Sequence, residues 1–174
     1  MSYLSYTKDF NNNLLMLLLR DHQKYMPVVE FFDSMTQGLS ELSWLEAEYI
    51  ALEVSKVNGS EFCTGIRSGV SNALNENNLK IDRLGIPVKF ALKINQVAEA
   101  VTQKDVDDVL NAGWSEQTVE DIAGLVAIQR FYNVLATGLG FSQLSEEAFE
   151  GIGKNTVSSG GYAESFRGFI SNKM

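Results

Sequence analysis

Residues 43–67 read SWLEAEYIALEVSKVNGSEFCTGIR, and this stretch carries the strongest structural signal in the chain. Ser43, followed three residues later by Glu46, forms a capping box, a pattern typical of the first turn of a helix. Apolar residues then recur at spacings of three and four, as they do on the buried face of a helix. An Asn-Gly turn at Asn58 ends that helix, and Ser60 can cap a second one. The stretch therefore predicts two consecutive helices joined by a tight turn.

The same spacing continues in both directions, so the chain is predicted to be all-α. It contains only two prolines, and runs of β-branched residues are few. Before residue 43, the pattern predicts one helix from about Asp9 to Lys24 and a second from Pro27, in its first turn, to near Gly38. After residue 59, five further helices are predicted. The first two run from Ser60 to about Asn75 and from Pro87 to near Val101. The next two run from the Thr102–Asp105 capping pair to Gly113 and from Ser115 to Gly138 or Gly140, and a last short helical pattern follows Ser142.

No low-complexity linker divides the chain and no internal repeat is evident, so a single domain over residues 1–174 is predicted. The Ser/Gly-rich stretch at 158–161 lacks the Gly-Lys-Ser/Thr ending and the preceding strand of a phosphate loop. We interpret it as a flexible surface connection.

Charge and composition exclude several classes of function. The chain is 45% hydrophobic, which is enough to bury a real core. With 14 Lys and Arg against 22 Asp and Glu, its net charge of -8 repels phosphate backbones. Nucleic acid is therefore not an expected partner.

Cys63 is the only cysteine and His22 the only histidine. This excludes an internal disulfide, a thiolate zinc site, a two-thiol redox motif and a cage of several histidines, so we predict no metal and no cofactor. No apolar run approaches the roughly 18 residues of a membrane helix, so no membrane partner is expected. Because no export signal is recognisable, the expected location is the cytoplasm, where a lone thiol stays reduced.

Glu48 is the carboxylate most in need of an explanation. Its neighbours at helical spacing, Trp44, Leu45, Ala51 and Leu52, place it on an apolar face. A carboxylate on a buried face is costly unless it is paired or its pKa is raised. Two interpretations stay open: a functional acid, or a residue that is exposed or paired with a structural base.

Cys63 also has two interpretations. If Ser60 caps its helix, Cys63 lies in the first turn, where free N–H groups favour a thiolate, and Arg67 one turn later adds a positive charge. Phe62, Cys63 and Ile66 also belong to an apolar stripe, and a buried free cysteine usually behaves as a small hydrophobic residue.

The order of these residues resembles the alkylhydroperoxidase D / carboxymuconolactone decarboxylase family. Its redox members carry a Glu, eleven residues, Cys-x-x-Cys, three residues and a His; here the matching positions are Glu48, Ser60, Cys63 and Arg67. The likeness is strongest over residues 25–140 and includes Phe90–Lys93, Val101–Val106, Asn111–Ser115 and Phe131–Asn133. It implies an alkylhydroperoxidase D-like helical domain of about seven or eight helices that assembles as a homo-oligomer, a trimer or hexamer.

Two motif positions differ from the family pattern. Ser60 stands where the first cysteine would be, so no internal disulfide can close after Cys63 is oxidised. Arg67 stands where the histidine would be, and a guanidinium does not exchange protons near neutral pH. His22 could substitute only if the first helix packs over the site. The absence of the histidine weakens the alternative of a carboxymuconolactone decarboxylase-type lyase.

The resemblance then implies a peroxidase-related antioxidant protein that uses one cysteine. In this hypothesis the Cys63 thiolate reduces a hydroperoxide and an external thiol regenerates it. Arg67 favours the thiolate and stabilises the leaving oxygen, while Glu48, through water and Ser60, handles protons.

Two alternatives compete with that hypothesis. The chain could be a degenerate, non-catalytic family member that acts as an oligomeric binding or assembly module, or a helical domain that binds an apolar small molecule without redox chemistry. A direct pair between Glu48 and Arg67 would favour a structural role, because it would remove much of the activation of Cys63.

Overall fold

The structure, a computed structural model, describes residues 2–6, 13–37, 41–74 and 81–171, and the regular elements in these ranges are all helical. Nine α-helices follow one another there: α1 (Leu14–Arg20), α2 (His22–Thr36), α3 (Trp44–Val57), α4 (Glu61–Ala73), α5 (Gly85–Val97), α6 (Gln103–Asn111), α7 (Glu116–Gly138), α8 (Glu146–Ser158) and α9 (Tyr162–Ser171). The predicted all-α class is confirmed, with slightly more helices than the seven or eight expected.

The capping box at Ser43 is confirmed in atomic detail, whereas Ser60 occupies the cap position of α4 without making a side-chain cap hydrogen bond. The Ser43 hydroxyl accepts a hydrogen bond from the Glu46 N–H at 3.3 Å, and the Glu46 carboxylate accepts one from the Ser43 N–H at 2.9 Å. The chain leaves α3 through Gly59, whose φ of +62° is a conformation that favours glycine. Further along the chain, α6 and α7 start at the predicted caps, Thr102 and Ser115.

The prediction that Pro27 opens the second helix is wrong. Helix α1 ends at Arg20, Asp21 leaves the helical conformation, and α2 begins at His22, so Pro27 lies inside α2. Tyr25 and Val29 on either side of the proline are buried, and this packing compensates for the backbone hydrogen bond that proline cannot donate. The predicted boundaries at Asp9, Gly38 and Asn75 lie outside the described residues.

The C-terminal region also differs from the prediction. Two helices, α8 and α9, form where one short helical pattern was expected. The Ser/Gly-rich stretch between them is a tight turn in which the Gly161 N–H donates to the Thr156 carbonyl at 3.0 Å. Gly161 is buried and lies close to α2: a Cβ added to this residue would be 2.8 Å from the Asp33 carboxylate. The prediction of a surface connection holds for Ser158 and Gly160, which are exposed, whereas the hydrogen-bonded turn and the burial of Gly161 contradict a flexible one.

Helix α8 packs against α4 with the two backbones in direct contact. A Cβ on Gly153 would lie 2.1 Å from the Gly69 carbonyl oxygen, so only glycine allows this approach. The contact fixes α8 on α4, and the tight turn then places α9 against α2 and α1.

The centre of the core lies between α3 and α7. Ile50 and Val54 on α3, and Ile122, Leu125 and Val126 on α7, are completely buried. Removing each such side chain from water contributes about 1.5–3 kcal/mol. Helix α3 is held firmly here and also packs on α4, so its buried Glu48 has a fixed position. Within the described ranges, no helix combines the length and apolar character needed to cross a bilayer.

Candidate functional site

Glu48 is completely buried and receives hydrogen bonds from three side chains. The Trp44 indole N–H donates to Oε1 at 3.1 Å from one turn earlier on α3. The Tyr162 hydroxyl, from the first turn of α9, lies 2.9 Å from Oε1 and 3.0 Å from Oε2. Arg67 on α4 donates to Oε2 at 3.3 Å. The apolar face on which the sequence places Glu48 therefore holds a paired carboxylate.

Arg67 sits between α2, α3 and α9. Its side chain is 6% exposed, and its guanidinium carbon lies 4.1 Å from the centroid of the Phe32 ring and 4.7 Å from that of Tyr162. It also donates to the Tyr162 hydroxyl. Its Nε is buried and has no hydrogen-bond partner among the described residues. The direct Glu48–Arg67 pair that would favour a structural role is thus formed, while the buried Nε–H stays without a partner among the described residues.

Burial dominates the electrostatics of this group. Removal from water raises the pKa of Glu48, while Arg67, Tyr162 and Trp44 oppose that shift by stabilising the carboxylate. Burial lowers the pKa of Arg67, but Tyr162 and Glu48 outweigh it and raise the pKa overall, so the guanidinium stays charged. Burial also raises the pKa of Tyr162, so its hydroxyl stays protonated.

Cys63 lies in the first turn of α4, is 3% exposed and is a free thiol. It lines a cavity of about 80 Å³ together with Arg67, Tyr132 and Tyr162, and Arg67 interacts electrostatically with it. The rest of the wall comes from α1, α2, α4, α8 and α9. It contains two polar side chains, those of Thr156 and Ser165, and is otherwise apolar: Leu14, Leu15, Leu18, Val29, Phe32, Phe62, Ile66, Ile152, Phe166 and Phe169. The cavity is about half the size of a roughly 150 Å³ protein cavity that holds benzene, so it suits molecules of a few heavy atoms.

Ser60 lies apart from this group. It occupies the cap position of α4 and is 1% exposed, but its hydroxyl has no hydrogen-bond partner in the part of the chain that the structure describes. It lines a different pocket, of about 170 Å³, and only Phe62 is shared between the two. His22 faces the Leu19 carbonyl at 3.3 Å and does not line the Cys63 cavity. The structure thus groups Glu48, Arg67 and Cys63, and places Ser60 and His22 elsewhere.

Sequence patterns alone do not identify the aromatic half of the site. Phe32, Tyr132 and Tyr162 come from α2, α7 and α9, and Tyr162 is 114 residues from the carboxylate that it contacts. The only local signal was an aromatic residue directly after the Gly160-Gly161 turn. A single sequence does not show which helix that turn approaches.

Two solved structures have the same arrangement of helices. A peroxidase-related protein from Silicibacter sp. TM1040 superposes with a TM-score of 0.69 at 20% sequence identity, covering 79% of this chain and 78% of its own. A second peroxidase-related protein, an alkylhydroperoxidase AhpD core from Ralstonia eutropha JMP134, superposes with a TM-score of 0.66 at 20% sequence identity. The superposition covers 79% of this chain and 78% of the Ralstonia chain. This chain has the alkylhydroperoxidase D fold. Neither a protein-family model nor a curated protein matches the sequence.

The side chains that line the cavity give it its chemical character. A guanidinium beside a sulfur favours the thiolate form, which is the nucleophile in thiol chemistry. The same guanidinium can stabilise negative charge on an oxygen within this mainly apolar cavity. An apolar wall around these two groups selects small, uncharged molecules with a polar end.

Proposed function

We propose that this chain is a peroxidase-related protein in which Cys63 alone reduces small, largely apolar hydroperoxides. The observation that carries the proposal is that Cys63 and the charged Arg67 line one mainly apolar cavity. A short alkyl hydroperoxide would place its carbon chain against Phe32, Ile66 and Phe166 and its O–O group beside the sulfur. The size of the cavity favours short alkyl groups over bulky ones.

The reaction forms one S–O bond and breaks one O–O bond. The Cys63 thiolate attacks the terminal oxygen of the hydroperoxide, and the alkoxide leaves and takes up one proton to become an alcohol. Cys63 is oxidised to a sulfenic acid while the hydroperoxide is reduced. Arg67 stabilises the thiolate before attack and the negative charge on the leaving oxygen during it.

Regeneration requires two external thiols, because Cys63 is the only cysteine in the chain. The first thiol attacks the sulfenic sulfur, releases water and leaves a mixed disulfide; the second attacks that disulfide and restores the Cys63 thiol. Since Cys63 is 3% exposed, the first of these thiols must be small.

The tight pairing of Arg67 favours a second candidate, a non-catalytic module that binds small apolar molecules. Arg67 already donates to Glu48 and Tyr162 and stacks on Phe32, so part of its charge is compensated before any ligand enters. In that case the cavity binds its ligand and Cys63 serves only as a wall residue.

Peroxide consumption separates the two candidates. Wild-type protein, Cys63→Ser and Ser71→Ala are compared with tert-butyl hydroperoxide as oxidant and excess dithiothreitol as reductant. Ser71→Ala is the matched control, because Ser71 lies on α4, is buried and does not line the cavity. The proposal predicts turnover by wild type and Ser71→Ala and none by Cys63→Ser. Equal rates for all three proteins would remove Cys63 from the reaction, and slow turnover with cumene hydroperoxide would support the size limit.

We also propose a single domain over residues 1–174, a homo-oligomeric state and a cytoplasmic location, which follow from the sequence and the family resemblance. Light scattering on purified protein checks the oligomeric state; a mass equal to one chain would contradict it.

A further inference from the structure

We propose that Tyr162 is the proton donor of this reaction and passes a proton between Glu48 and the leaving oxygen. The inference rests on the proposed function. Tyr162 connects Glu48 to the cavity as a route for protons. Ser60 does not provide this route, because Ser60 lines a different pocket. Three side chains contact Glu48: Trp44, Arg67 and Tyr162.

Of the three groups, only Tyr162 can carry a proton to the substrate. Trp44 does not line the cavity. Arg67 lines it, but its guanidinium keeps its protons near neutral pH. Tyr162 lines the cavity and its hydroxyl lies 2.9 and 3.0 Å from the two Glu48 oxygens. A phenol hydroxyl can donate one hydrogen bond and accept another at the same time, as a relay requires.

The position of Tyr162 is fixed from both ends of the residue. Its backbone N–H donates to Asp33 Oδ1 at 2.8 Å, and the next N–H, of Ala163, donates to Asp33 Oδ2 at 2.7 Å. Its ring packs edge-on against Phe32 with 5.1 Å between centroids. An acid or base group held in this way needs little reorganisation during the reaction.

The proton count closes without any further side chain. The reactive state holds Cys63 as a thiolate and Glu48 as a neutral carboxylic acid, and this state forms by proton exchange with water before the oxidant binds. After the sulfur attacks the hydroperoxide, Tyr162 protonates the leaving alkoxide and regains a proton from Glu48. The products are the Cys63 sulfenic acid and an alcohol, and Glu48 returns to its carboxylate form. Burial raises the pKa of Glu48, which helps it to hold the proton between the two steps.

Tyr132 also lines the cavity and has Cys63 and Arg67 as electrostatic neighbours. Among the described residues, the hydrogen bonds to Glu48 come from Trp44, Arg67 and Tyr162 and none comes from Tyr132, so a proton that Tyr132 gives away is not replaced directly by the carboxyl group. This is why we assign the role to Tyr162.

Two oxidants with different leaving groups test the assignment. Cleavage of tert-butyl hydroperoxide releases an alkoxide, which needs a proton, whereas cleavage of peracetic acid releases acetate, which does not. The variants are Tyr162→Phe and Trp44→Phe, because each removes one hydrogen bond to Glu48 and only the first removes a hydroxyl from the cavity. The rate measured is the second-order oxidation of Cys63.

For Tyr162→Phe we expect a loss of about 100-fold with tert-butyl hydroperoxide, the usual size of a general-acid effect, and little change with peracetic acid. Trp44→Phe is expected to change both rates by the same factor. In wild type, the reaction with tert-butyl hydroperoxide should be slower in D₂O than in H₂O, and that with peracetic acid should not. The isotope effect requires no variant, so it tests the inference even if Tyr162→Phe does not fold.

Equal losses with the two oxidants in Tyr162→Phe, or equal isotope effects in wild type, would overturn the assignment and leave Tyr162 as a positioning residue. The proposed function would survive either result. It fails separately, if wild type and Cys63→Ser react with tert-butyl hydroperoxide at the same rate.

Discussion

Helix α3 carries two buried polar clusters, one around Glu48 and one around Ser55, seven residues later on the same helix. The first cluster contains charged groups, Glu48 and Arg67, with Tyr162 between them. The second is neutral. Both are removed from water, yet only the first borders the cavity that holds Cys63.

The neutral cluster, formed by Ser55, Asn58, Asn95, Gln129 and Asn133, joins α3 to α5 and α7. The Ser55 hydroxyl accepts from Gln129 at 2.8 Å and from Asn133 at 3.2 Å, and Asn58 and Asn95 exchange hydrogen bonds of 3.0 and 2.8 Å. None of these side chains changes its charge near neutral pH. The cluster therefore holds helices together and has no means of moving a proton.

The comparison shows that burial of polar groups does not by itself mark a functional site. The Glu48 cluster differs from the Ser55 cluster in two physical respects: it contains a carboxyl group that can gain a proton, and it opens on a cavity with a nucleophilic sulfur. The proposed reaction requires both features together, because the sulfur attacks the oxidant and the leaving oxygen then needs a proton.

The largest expected effect on stability is that of Arg67→Leu. Removing one partner of a buried ion pair leaves Glu48 without its cation and costs about 3–5 kcal/mol in the free energy of unfolding. The double variant Glu48→Leu/Arg67→Leu removes both charges and should recover most of that loss. Urea denaturation of wild type, the single variant and the double variant measures these free energies of unfolding. A double variant as unstable as the single one would mean that the two charges are not coupled.

A smaller effect is expected in the neutral cluster. Asn133→Ala removes the amide that Asn58 and Ser55 contact and leaves buried groups unpaired, at a cost of about 1–3 kcal/mol. Peroxide reduction per mole of folded protein should stay at the wild-type rate, as measured by consumption of tert-butyl hydroperoxide. A loss of activity in the folded variant would erase the distinction between the two clusters.

The smallest effect is a difference in pH dependence. Because burial raises the pKa of folded Glu48 above the ordinary value of 4.5, its contribution to stability is fully present below pH 4.5 and is lost as the pH rises through the folded pKa. Wild type should therefore lose stability relative to Glu48→Gln above pH 4.5, by at most about 1.4 kcal/mol per pH unit. Between wild type and Asn133→Ala the difference should be independent of pH. The opposite slope for Glu48→Gln would show that Arg67 lowers the pKa of Glu48 more than burial raises it.

The sequence was sufficient for the parts of the fold that depend on local signals. The capping boxes at Ser43 and Thr102 and the cap at Ser115 predict the starts of α3, α6 and α7, because these signals act within one helical turn. Pro27 misled the prediction, since the packing of α2 against the core outweighs the local preference of proline for a first turn.

The site was predictable only in part, for the same reason. Glu48, Cys63 and Arg67 lie on two consecutive helices, and the spacing of residues was enough to associate them. Tyr162 belongs to α9. The position of α9 depends on the backbone contact between Gly153 and Gly69 and on the hydrogen bond from the Tyr162 N–H to Asp33. Both are contacts between distant parts of the chain, which a local pattern does not encode.

We expect the Cys63 sulfur, beside Arg67 in the cavity, to react with a hydroperoxide. To test this, one equivalent of tert-butyl hydroperoxide is added to the reduced protein in the presence of dimedone, which traps sulfenic acids, and the mass of the peptide that contains Cys63 is determined. A dimedone adduct on Cys63 and one equivalent of tert-butanol in solution are expected. An unmodified Cys63, with the hydroperoxide still present, would overturn the proposed reaction.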